Sequence, residues 1–364
     1  MHSDIQDEIQ RLLNGLVSSG DERGAQVSVI QNGVEIANVS AGTTGGDAPK
    51  PVDQTTLFPI FSTMKGIMVT GVHLLAERKQ IDYDKPMSHY WPGFAANGKQ
   101  DVTVRHALAH QAGIPFVPDR VGDEQLRDWD AMCRVIESLT PSWPPGSRQF
   151  YHAHTLSWIL GELIHRVDGR AYQPFIEGEI SLPLGVEFYA GLPGPLNARV
   201  ATIEPAPDFT ETVQPPPRGN PVCTVPIHFW INRPENRKLC SPGVNGISTA
   251  RSIARHYASL LPGGIDGIEL LPPSRVEIMT QLQTPTGGWP EGENARKGLG
   301  YQLGHGVAEL GGDEESFGHL GHGGSVGFAS PRNKLAVGIV RNRFSGRSLG
   351  NLIWEKLQKT LALK

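Results

Sequence analysis

The segment FPIFSTMKGI, from Phe58 to Ile67, places Ser62 three residues before Lys65 at the point where an apolar run becomes helical. If Ser62 begins a helix, Lys65 lies one turn later on the same face. A serine hydroxyl becomes a useful nucleophile when a neighbouring base takes its proton. A lysine can be that base only as a neutral amine, a form that apolar surroundings favour. The helix N-terminus would also favour negative charge on Ser62 and make its backbone N–H an oxyanion donor.

The spacing of Ser62 and Lys65 has an ordinary alternative explanation. A serine and a lysine three residues apart occur by chance about once in a few hundred residues at average amino-acid frequencies. A lysine on an amphipathic helix then simply points into water. The pair alone therefore does not establish catalysis, and the rest of the chain has to decide.

Composition excludes several classes of protein. The 364 residues carry a formal net charge of −4 and no long Lys/Arg run, which argues against nucleic acid or an anionic membrane as the main partner. Cys133, Cys223 and Cys240 form neither a CxxC pair nor an even set, as expected in a reducing compartment. Residues 1–20 lack a signal-peptide pattern, and no apolar run approaches the roughly 20 residues of a spanning helix. We expect a soluble, cytoplasmic protein, and the sequence does not indicate its oligomeric state.

The order of predicted elements indicates an α+β fold in which both chain ends share one antiparallel sheet. A helix near Ile5–Val17 is followed by two alternating segments around Asn32-Gly33, the strongest short hairpin signal. Helical patterns then cover 62–80, 102–114, 150–170 and 244–261, and strands return in GLGYQLGHGVAEL, GSVGFAS and KLAVGIVRNR before a last helix. We expect one unit over 1–364, with a sheet part from about 1–60 and 240–364 and a helical insertion over 61–239.

The helix at Ser62 resembles the nucleophile helix of the serine β-lactamase and penicillin-binding protein superfamily, and within it the class C-related carboxylesterases called family VIII. Four more segments resemble the superfamily in the same order: TVRHALAHQAGI, PPGSRQFYHAHTLSWILGELIHRVDGR, GVNGISTARSIARHYASLL and FGHLGHGGSVGFAS. The resemblance covers most of Gln26 to Arg343, and this shared order is more specific than any single motif. It implies a serine β-lactamase-like α+β fold with the active site between the sheet and the helical part.

The resemblance assigns roles to three residues. Ser62 is the expected nucleophile, and Lys65 is its base or an electrostatic helper of that base. Tyr151 takes the position of the catalytic tyrosine, which passes a proton to the leaving group and activates the attacking water or alcohol. A tyrosine can do this as a phenolate if Lys65 and a second cation lower its pKa. Whether Lys65 or Tyr151 is the principal base stays open, since coupled groups share their titration.

The segment HLG at 319–321 lies where the lactamases carry Lys-Thr-Gly. The resemblance therefore places His319 in the site, where it would bind a polar group of the substrate or donate to Tyr151. The backbone N–H of His322 would be the second oxyanion donor. Gly321 fits a strand that a ligand approaches closely.

Further residues are candidates for the walls of the site. Ala153 and His152 adjoin Tyr151, and the histidine could equally pack within the protein. Trp230 and Trp289 lie in loop-rich segments and could form an apolar wall for an acyl group. No cofactor is implied. His106 and His110 have helical spacing, but without an HExxH motif or a nearby carboxylate pair they do not indicate a metal site.

Two departures from the superfamily pattern bear on the substrate. Ala153 stands where an asparagine is usual and His319 where a lysine is usual, and these groups hold the amide and carboxylate of β-lactams or D-Ala peptides. The resemblance thus implies hydrolysis of a small-molecule carboxylic ester through an acyl-Ser62 intermediate. The alternatives are an acyltransferase for secondary-metabolite-type substrates, a β-lactamase or D-aminopeptidase, and a non-catalytic acyl-binding sensor.

Overall fold

The computed structural model describes residues 2–118, 121–207, 209, 226–287, 296–304, 311–345 and 347–363. The strands within these ranges are β1 (Gly24–Gln31), β2 (Val34–Gly42), β3 (Phe58–Pro59), β4 (Phe188–Tyr189), β5 (Glu204–Pro205), β6 (Ile247–Ser248), β7 (Gln302–Leu303), β8 (Phe317–Leu320), β9 (Val326–Ser330), β10 (Leu335–Arg341) and β11 (Arg343–Phe344). Six of them form one antiparallel sheet in the order β2-β1-β10-β9-β8-β7. Two of the six come from the N-terminal part and four from the C-terminal part, which confirms the predicted sheet.

The helices surround this sheet and fill the stretch between its two sets of strands. They are α1 (His2–Ser19), α2 (Met64–Glu77), α3 (Met87–Tyr90), α4 (Val104–Leu108), α5 (Asp123–Arg127), α6 (Trp129–Ser138), α7 (Thr155–Asp168), α8 (Tyr172–Ile176), α9 (Leu182–Leu184), α10 (Ile227–Ile231), α11 (Pro234–Arg237), α12 (Ala250–Ala258), α13 (Pro273–Thr280) and α14 (Leu349–Leu361). Helices α2 to α11 lie between β3 and β6 in the chain, which confirms the mainly helical insertion. None of the described helices is both long and apolar enough to cross a membrane.

The hairpin of β1 and β2 turns where the sequence predicts. Asn32 and Gly33 have φ angles of 52° and 74°. Two consecutive positive φ angles belong to the tight turns whose twist matches that of paired strands. Asparagine and glycine tolerate this left-handed backbone at low cost, so the two residues determine where the chain reverses.

Each face of the sheet is covered by helices. On one face α1 and α14 bury a row of aliphatic side chains against the strands, including Ile5, Ile9, Ile353 and Leu357. On the other face α12 lies directly on β10 and β1. Gly338 makes this close approach possible, because a Cβ at that position would stand 2.1 Å from the carbonyl oxygen of Ala250.

Helix α2 is the central element of the molecule. Every residue from Met64 to Ala76 is buried, and the helix packs against α7, α8 and β8. A mainly apolar helix that is buried on all sides belongs in the interior of a large protein. The turn that precedes this helix, with Ser62, therefore lies at the boundary between the sheet and the helical part.

Three predicted helices are shorter than their patterns indicated. The segment 102–114 is helical only over Val104–Leu108, because His110 and Gly113 adopt positive φ angles of 59° and 81°. The segment 150–170 becomes helical at Thr155, and 244–261 at Ala250 after a Thr249 cap. The residues released from these helices form loops at the site. Residues 305–310 of the predicted strand lie outside the described residues.

A buried ion pair joins β10 to the connection between α1 and β1. Arg341 and Glu22 are 2% and 4% exposed, and Arg341 Nη2 lies 2.5 Å from Glu22 Oε1. Arg341 also donates to Ser345 Oγ and to the Arg347 carbonyl. Burial raises the pKa of Glu22 to about 7, although the positive charge of Arg341 opposes this effect. Neither charge is tolerable there without the other.

We expect Arg341→Met to destabilise the protein by roughly 3–5 kcal/mol, because it leaves a buried carboxylate without its partner. Urea unfolding followed by circular dichroism measures the difference. The double variant Glu22→Leu/Arg341→Met should recover most of the loss. As a control, Arg332→Met breaks a half-exposed pair with Glu315 and should change stability by no more than about 0.5 kcal/mol. Equal losses at the two arginines would contradict the assignment.

Candidate active site

Ser62 lies in the 3₁₀ turn Phe61–Thr63, which leads directly into α2. The preceding Phe61 has a φ angle of 48°, a strained conformation for a bulky residue. Its ring is packed against His322 at 5.9 Å and Phe344 at 5.6 Å between centroids. These contacts from the C-terminal part hold the turn and thereby fix the direction of the serine side chain. Such strain is found most often at functional sites.

Lys65 is completely buried, and its amine contacts three oxygen atoms. Lys65 Nζ lies 3.0 Å from Ser62 Oγ, 2.8 Å from the Ala153 carbonyl oxygen and 2.5 Å from the Gly243 carbonyl oxygen. Carbonyl oxygens only accept hydrogen bonds, whereas a hydroxyl can also donate. In the neutral amine two N–H groups serve the two carbonyls, and the lone pair is left for the Ser62 hydroxyl. The geometry is that of a base poised to accept the serine proton.

The Gly243 carbonyl is a part of the site that the sequence did not reveal. Ser62 Oγ also lies within hydrogen-bond distance of it, at 3.1 Å. The Gly243 N–H is fixed by Ser157 Oγ at 2.8 Å, so the peptide cannot rotate freely. A Cβ at Gly243 would meet Ser157 Oγ at 2.6 Å and Lys65 Nζ at 3.1 Å. Only glycine therefore lets this loop come close enough to bind the lysine.

Tyr151 stands beside the serine, and two lysines lie close to its ring. Its ring centroid is 5.0 Å from Lys65 Nζ and 5.1 Å from Lys297 Nζ. Burial raises the pKa of the Tyr151 hydroxyl, and its hydrogen bond with Ser62 acts in the opposite direction. The tyrosine is therefore a neutral phenol in the free protein at neutral pH. The sequence predicted that Ser62, Lys65 and Tyr151 come together, and the structure places them in contact.

Lys65 and Lys297 are both weaker bases than a lysine exposed to water. Burial lowers the pKa of Lys65 well below its usual value, and the charge of Lys297 lowers it further. Burial lowers the pKa of Lys297 to about 8. Sequence reasoning missed Lys297, because it lies 232 residues beyond Lys65 in a segment without a recognisable motif. Only the tertiary fold brings the two side chains to the same ring.

His319 reaches the site, but not as a hydrogen-bond donor to Tyr151. Its Nδ1 lies 2.7 Å from the Leu320 carbonyl, which can only accept, so Nδ1 carries the proton. Burial, with the charges of Lys65 and Lys297, lowers the pKa of His319 well below its usual value. In this neutral tautomer Nε2 is an acceptor, with its ring 6.1 Å from that of Tyr151. It can accept a hydrogen bond, whereas the predicted donation to Tyr151 does not fit.

Both ring nitrogens of His152 form hydrogen bonds with the protein backbone. Its Nδ1 lies 2.6 Å from the Phe150 carbonyl, and its Nε2 accepts from the Ile114 N–H at 3.2 Å. The side chain is fully buried, and burial lowers its pKa to about 4. These contacts correspond to local packing, so the predicted substrate contact does not fit this residue.

His110 is a neighbour of Tyr151 that the sequence associated only with an unlikely metal site. Its Nδ1 accepts the His152 N–H at 3.1 Å, which leaves the proton on Nε2. Its ring centroid is 5.0 Å from that of Tyr151. His110 does not share a helix with His106, since α4 ends at Leu108. No group of ligating side chains suited to a metal ion occurs among the described residues.

Gly321 and His322 form the turn after β8, next to the Ser62 turn. A Cβ at Gly321 would stand 2.2 Å from the Ile60 carbonyl oxygen and 2.2 Å from Ser325 Oγ. Gly321 thus needs to be glycine because of the protein's own packing, and not only because of an approaching ligand. The two turns are tied by Ser325 Oγ donating to the Ile60 carbonyl at 2.8 Å. This places the turn that contains Gly321 and His322 against the turn that contains Ser62.

The other residues predicted to form the walls of the site are Ala153, Trp230 and Trp289, and they lie in different environments. Ala153 contributes its carbonyl oxygen, through the bond from Lys65, rather than its side chain. Trp230 is 3% exposed in the interior, so it is a core residue and not an exposed wall. Trp289 lies outside the described residues.

The sequence from residue 9 to residue 361 matches the family described as beta-lactamase. The chain belongs to the beta-lactamase family. The esterase/beta-lactamase LipL of Mycobacterium tuberculosis (strain ATCC 25618 / H37Rv) is 31% identical over 346 residues, covering 88% of this chain and 77% of LipL. These similarities confirm the superfamily that the sequence motifs predicted.

Solved structures of the family superpose on nearly the whole chain. A family VIII carboxylesterase aligns with a TM-score of 0.84 and 29% identity over 98% of this chain and 96% of its own. A penicillin-binding protein homologue from Caulobacter crescentus aligns with a TM-score of 0.83 and 27% identity over 97% and 96% of the two chains. The predicted fold is confirmed, and this member of the beta-lactamase family is a serine hydrolase.

We expect Gly321→Ala to slow covalent labelling of the protein by a fluorophosphonate by about 10- to 100-fold. The added methyl group pushes the turn of His322 away from that of Ser62, and misplacements near 1 Å can cost about 100-fold in rate. The measurement is the labelling rate, together with the circular dichroism spectrum. The control Gly15→Ala has no atom within 4 Å of the new methyl group and should label at the wild-type rate. Unchanged labelling of Gly321→Ala would show that the turn tolerates displacement.

Proposed function

We propose that the protein hydrolyses carboxylic esters through a covalent acyl-Ser62 intermediate. The observation that carries the proposal is the 3.0 Å contact between Ser62 Oγ and Lys65 Nζ, with the two other contacts of the amine made to carbonyl oxygens. A neutral lysine held in this way has one remaining capacity, which is to accept a proton from the serine. Tyr151 is hydrogen-bonded to the Ser62 hydroxyl, and its own hydroxyl is the group that would supply a proton to a departing alcohol.

In the acylation step Ser62 Oγ attacks the ester carbonyl carbon while its proton moves to Lys65 Nζ. The negative charge that develops on the carbonyl oxygen is stabilised by the backbone N–H groups of Ser62 and His322. The bond to the alcohol then breaks, and the alkoxide takes a proton from the Tyr151 hydroxyl. Lys65 returns its proton to Tyr151, so that an acyl-serine, a free alcohol and the original protonation states remain.

In the deacylation step water attacks the acyl-serine. Its proton passes to Lys65, directly or through Tyr151, as the second tetrahedral intermediate forms. As that intermediate breaks down, the bond to Ser62 Oγ is cleaved, Lys65 gives its proton to Ser62 Oγ, and the carboxylic acid is released. Among the described groups around Ser62, Lys65 has a lowered pKa and Tyr151 a raised one, which favours lysine as the base and tyrosine as the acid.

Three features support an ester in place of a β-lactam. Residue 153 is an alanine and supplies no side-chain amide, and residue 319 is a neutral histidine and supplies no cation. An apolar cavity of about 330 Å³ lies next to the tyrosine loop, lined by Ile114, Pro115, Phe116, Val117, Pro118, Leu139, Thr140 and Ser142. Such a cavity suits the hydrocarbon part of an ester. The relatives named above include one called an esterase/beta-lactamase and one called a carboxylesterase.

We expect brief mixing with p-nitrophenyl butyrate to add the mass of one butyryl group to the wild-type protein, with steady release of p-nitrophenol. Ser62→Ala should show neither, because the nucleophile is gone. Intact-protein mass spectrometry and absorbance measure the two outcomes in parallel. Ser274→Ala, which changes an exposed serine at the start of α13, is the matched control and should behave as wild type.

Turnover that survives in Ser62→Ala would refute the proposal. An adduct that forms and is never released would favour a sensor of acyl groups. Product analysis with an added alcohol separates hydrolysis from acyl transfer, since the alcohol and water compete for the same acyl-enzyme. Hydrolysis of nitrocefin faster than of the ester would move the assignment to β-lactams.

A further inference from the structure

Lys297 is a buried cation for which the reaction described above has no role. Its side chain is 3% exposed, and its amine lies 5.1 Å from the ring centroid of Tyr151. Lys65 is fully buried against the same ring, at 5.0 Å. Within the described part of the chain, neither lysine is paired with a carboxylate. Two like charges therefore share one dry site, an arrangement that is costly unless one of them gives up its proton.

The position of Lys297 is fixed relative to the helix that carries Lys65. Lys297 begins a tight turn that enters β7, and it pairs with Gln302 across that turn. The Tyr301 hydroxyl bonds to Thr70 Oγ1 of α2 at 2.5 Å and donates to the Gly66 carbonyl at 3.1 Å. The Leu299 carbonyl is held by His73 Nε2 at 2.9 Å. Three successive contacts thus tie this turn to α2, so the two lysines do not move independently.

We propose that Lys297 is a positioning residue for the acylation step, whose positive charge keeps Lys65 in the neutral amine form that accepts the Ser62 proton. The inference rests on the proposed function, because it explains how the base of that reaction is prepared. Lys297 lies outside every superfamily motif, and the inference gives it an electrostatic role. Lys297 itself need not touch the substrate.

The other titratable groups around Lys65 carry no charge that could replace this effect. They are Tyr151, His110, His154 and His319, each close enough to Lys65 to interact with its charge. Burial raises the pKa of the tyrosine and lowers the pKa of each histidine, in His154 to about 3. All four are neutral near pH 7. Lys297, with a pKa lowered only to about 8, is the charged group that Lys65 faces among the described residues.

The same charge also promotes the next proton transfer. When Lys65 accepts the proton of Ser62 it becomes an ammonium group beside a second ammonium group. Repulsion between the two favours the passage of that proton to Tyr151 and on to the leaving alcohol. The step is a proton transfer only, and each proton that leaves Ser62 reappears on the departing alcohol. The expected result is a lysine that is available as a neutral amine near pH 7 and that, once protonated, readily releases the proton.

The test is the pH dependence of kcat/KM for p-nitrophenyl butyrate in Lys297→Met and Lys297→Arg. Removing the positive charge of Lys297 stabilises the protonated form of Lys65, so the pKa of Lys65 rises. The acidic limb of the profile should move up by about one pH unit or more in Lys297→Met, as expected for charges several ångströms apart in a protein interior. Activity below the limb falls about tenfold and returns at higher pH. Lys297→Arg keeps the charge and should keep the limb near its wild-type position.

Lys99→Met is the matched control. Lys99 is also completely buried, and burial lowers its pKa to about 8 as well. Its amine donates to the Ala96, Glu137 and Leu139 carbonyls, in the helical part and away from the Ser62 site. The control should lower thermal stability and leave the pH profile unchanged. A loss of packing at a buried lysine is thereby separated from a loss of charge.

A second measurement does not depend on turnover. In protein labelled with ¹³C at the lysine ε carbons, the Lys65 resonance, assigned through its absence in Lys65→Arg, should titrate at higher pH in Lys297→Met than in wild type. This result would hold even if p-nitrophenyl butyrate were not a substrate, so failure of the proposed function and failure of this inference are distinguishable.

Three outcomes would overturn the inference. The first is a Lys65 titration that is unchanged in Lys297→Met. The second is a uniform loss of kcat/KM at every pH, which would make Lys297 a packing residue. The third is an unshifted profile combined with a raised KM only for esters that carry a carboxylate, which would make Lys297 an anchor for the substrate.

Discussion

The burial of Lys65 with no carboxylate partner among the described residues is the constraint on which the active site depends. An ammonium group in a dry interior is costly, so the side chain is stable there mainly as an amine. An amine still needs partners for its two N–H groups, and the Ala153 and Gly243 carbonyls provide them. The two carbonyls come from segments 88 and 178 residues away from Lys65. The antiparallel sheet and the helical insertion have to close on each other before the base exists at all.

The two halves of the fold contribute different components to the site. The helical part supplies the nucleophile, its base and the tyrosine, on the entrance to α2 and on the loop before α7. The C-terminal part supplies the Gly243 loop, the Lys297 turn and the turn after β8. Contacts such as Ser325 Oγ with the Ile60 carbonyl and Tyr301 with Thr70 join them. These bonds are buried and charge-free, so they hold geometry without adding to the electrostatic balance around Lys65.

Local signals in the sequence were sufficient for much of the fold and for part of the site. Asn32-Gly33 predicts its hairpin because a two-residue turn is a property of those residues alone, and Ser62 and Lys65 are one helical turn apart wherever the helix is placed. The protonation state of His319 depends on the direction of the Leu320 carbonyl, which no motif encodes. Lys297 lies in no recognised motif, and the segment that begins at Gly243 gives no sign that its carbonyl reaches Lys65, so only tertiary packing reveals these two contributions. His110 was correctly excluded from a metal site but wrongly placed on a helix, because its positive φ angle lies beyond the helix end.

Several features of the site work against stability. Phe61 is in a strained conformation, Lys65 and Lys297 are buried as potential like charges, and Nε2 of both His110 and His319 has no partner among the described atoms. Each costs free energy that the packed helices and the sheet have to offset. A lysine pair with a carboxylate between them would be more stable, but the carboxylate would hold Lys65 protonated and remove its basicity. The chemistry therefore requires that this counter-ion be absent from the site. The packing of the large surrounding core offsets the resulting loss of stability.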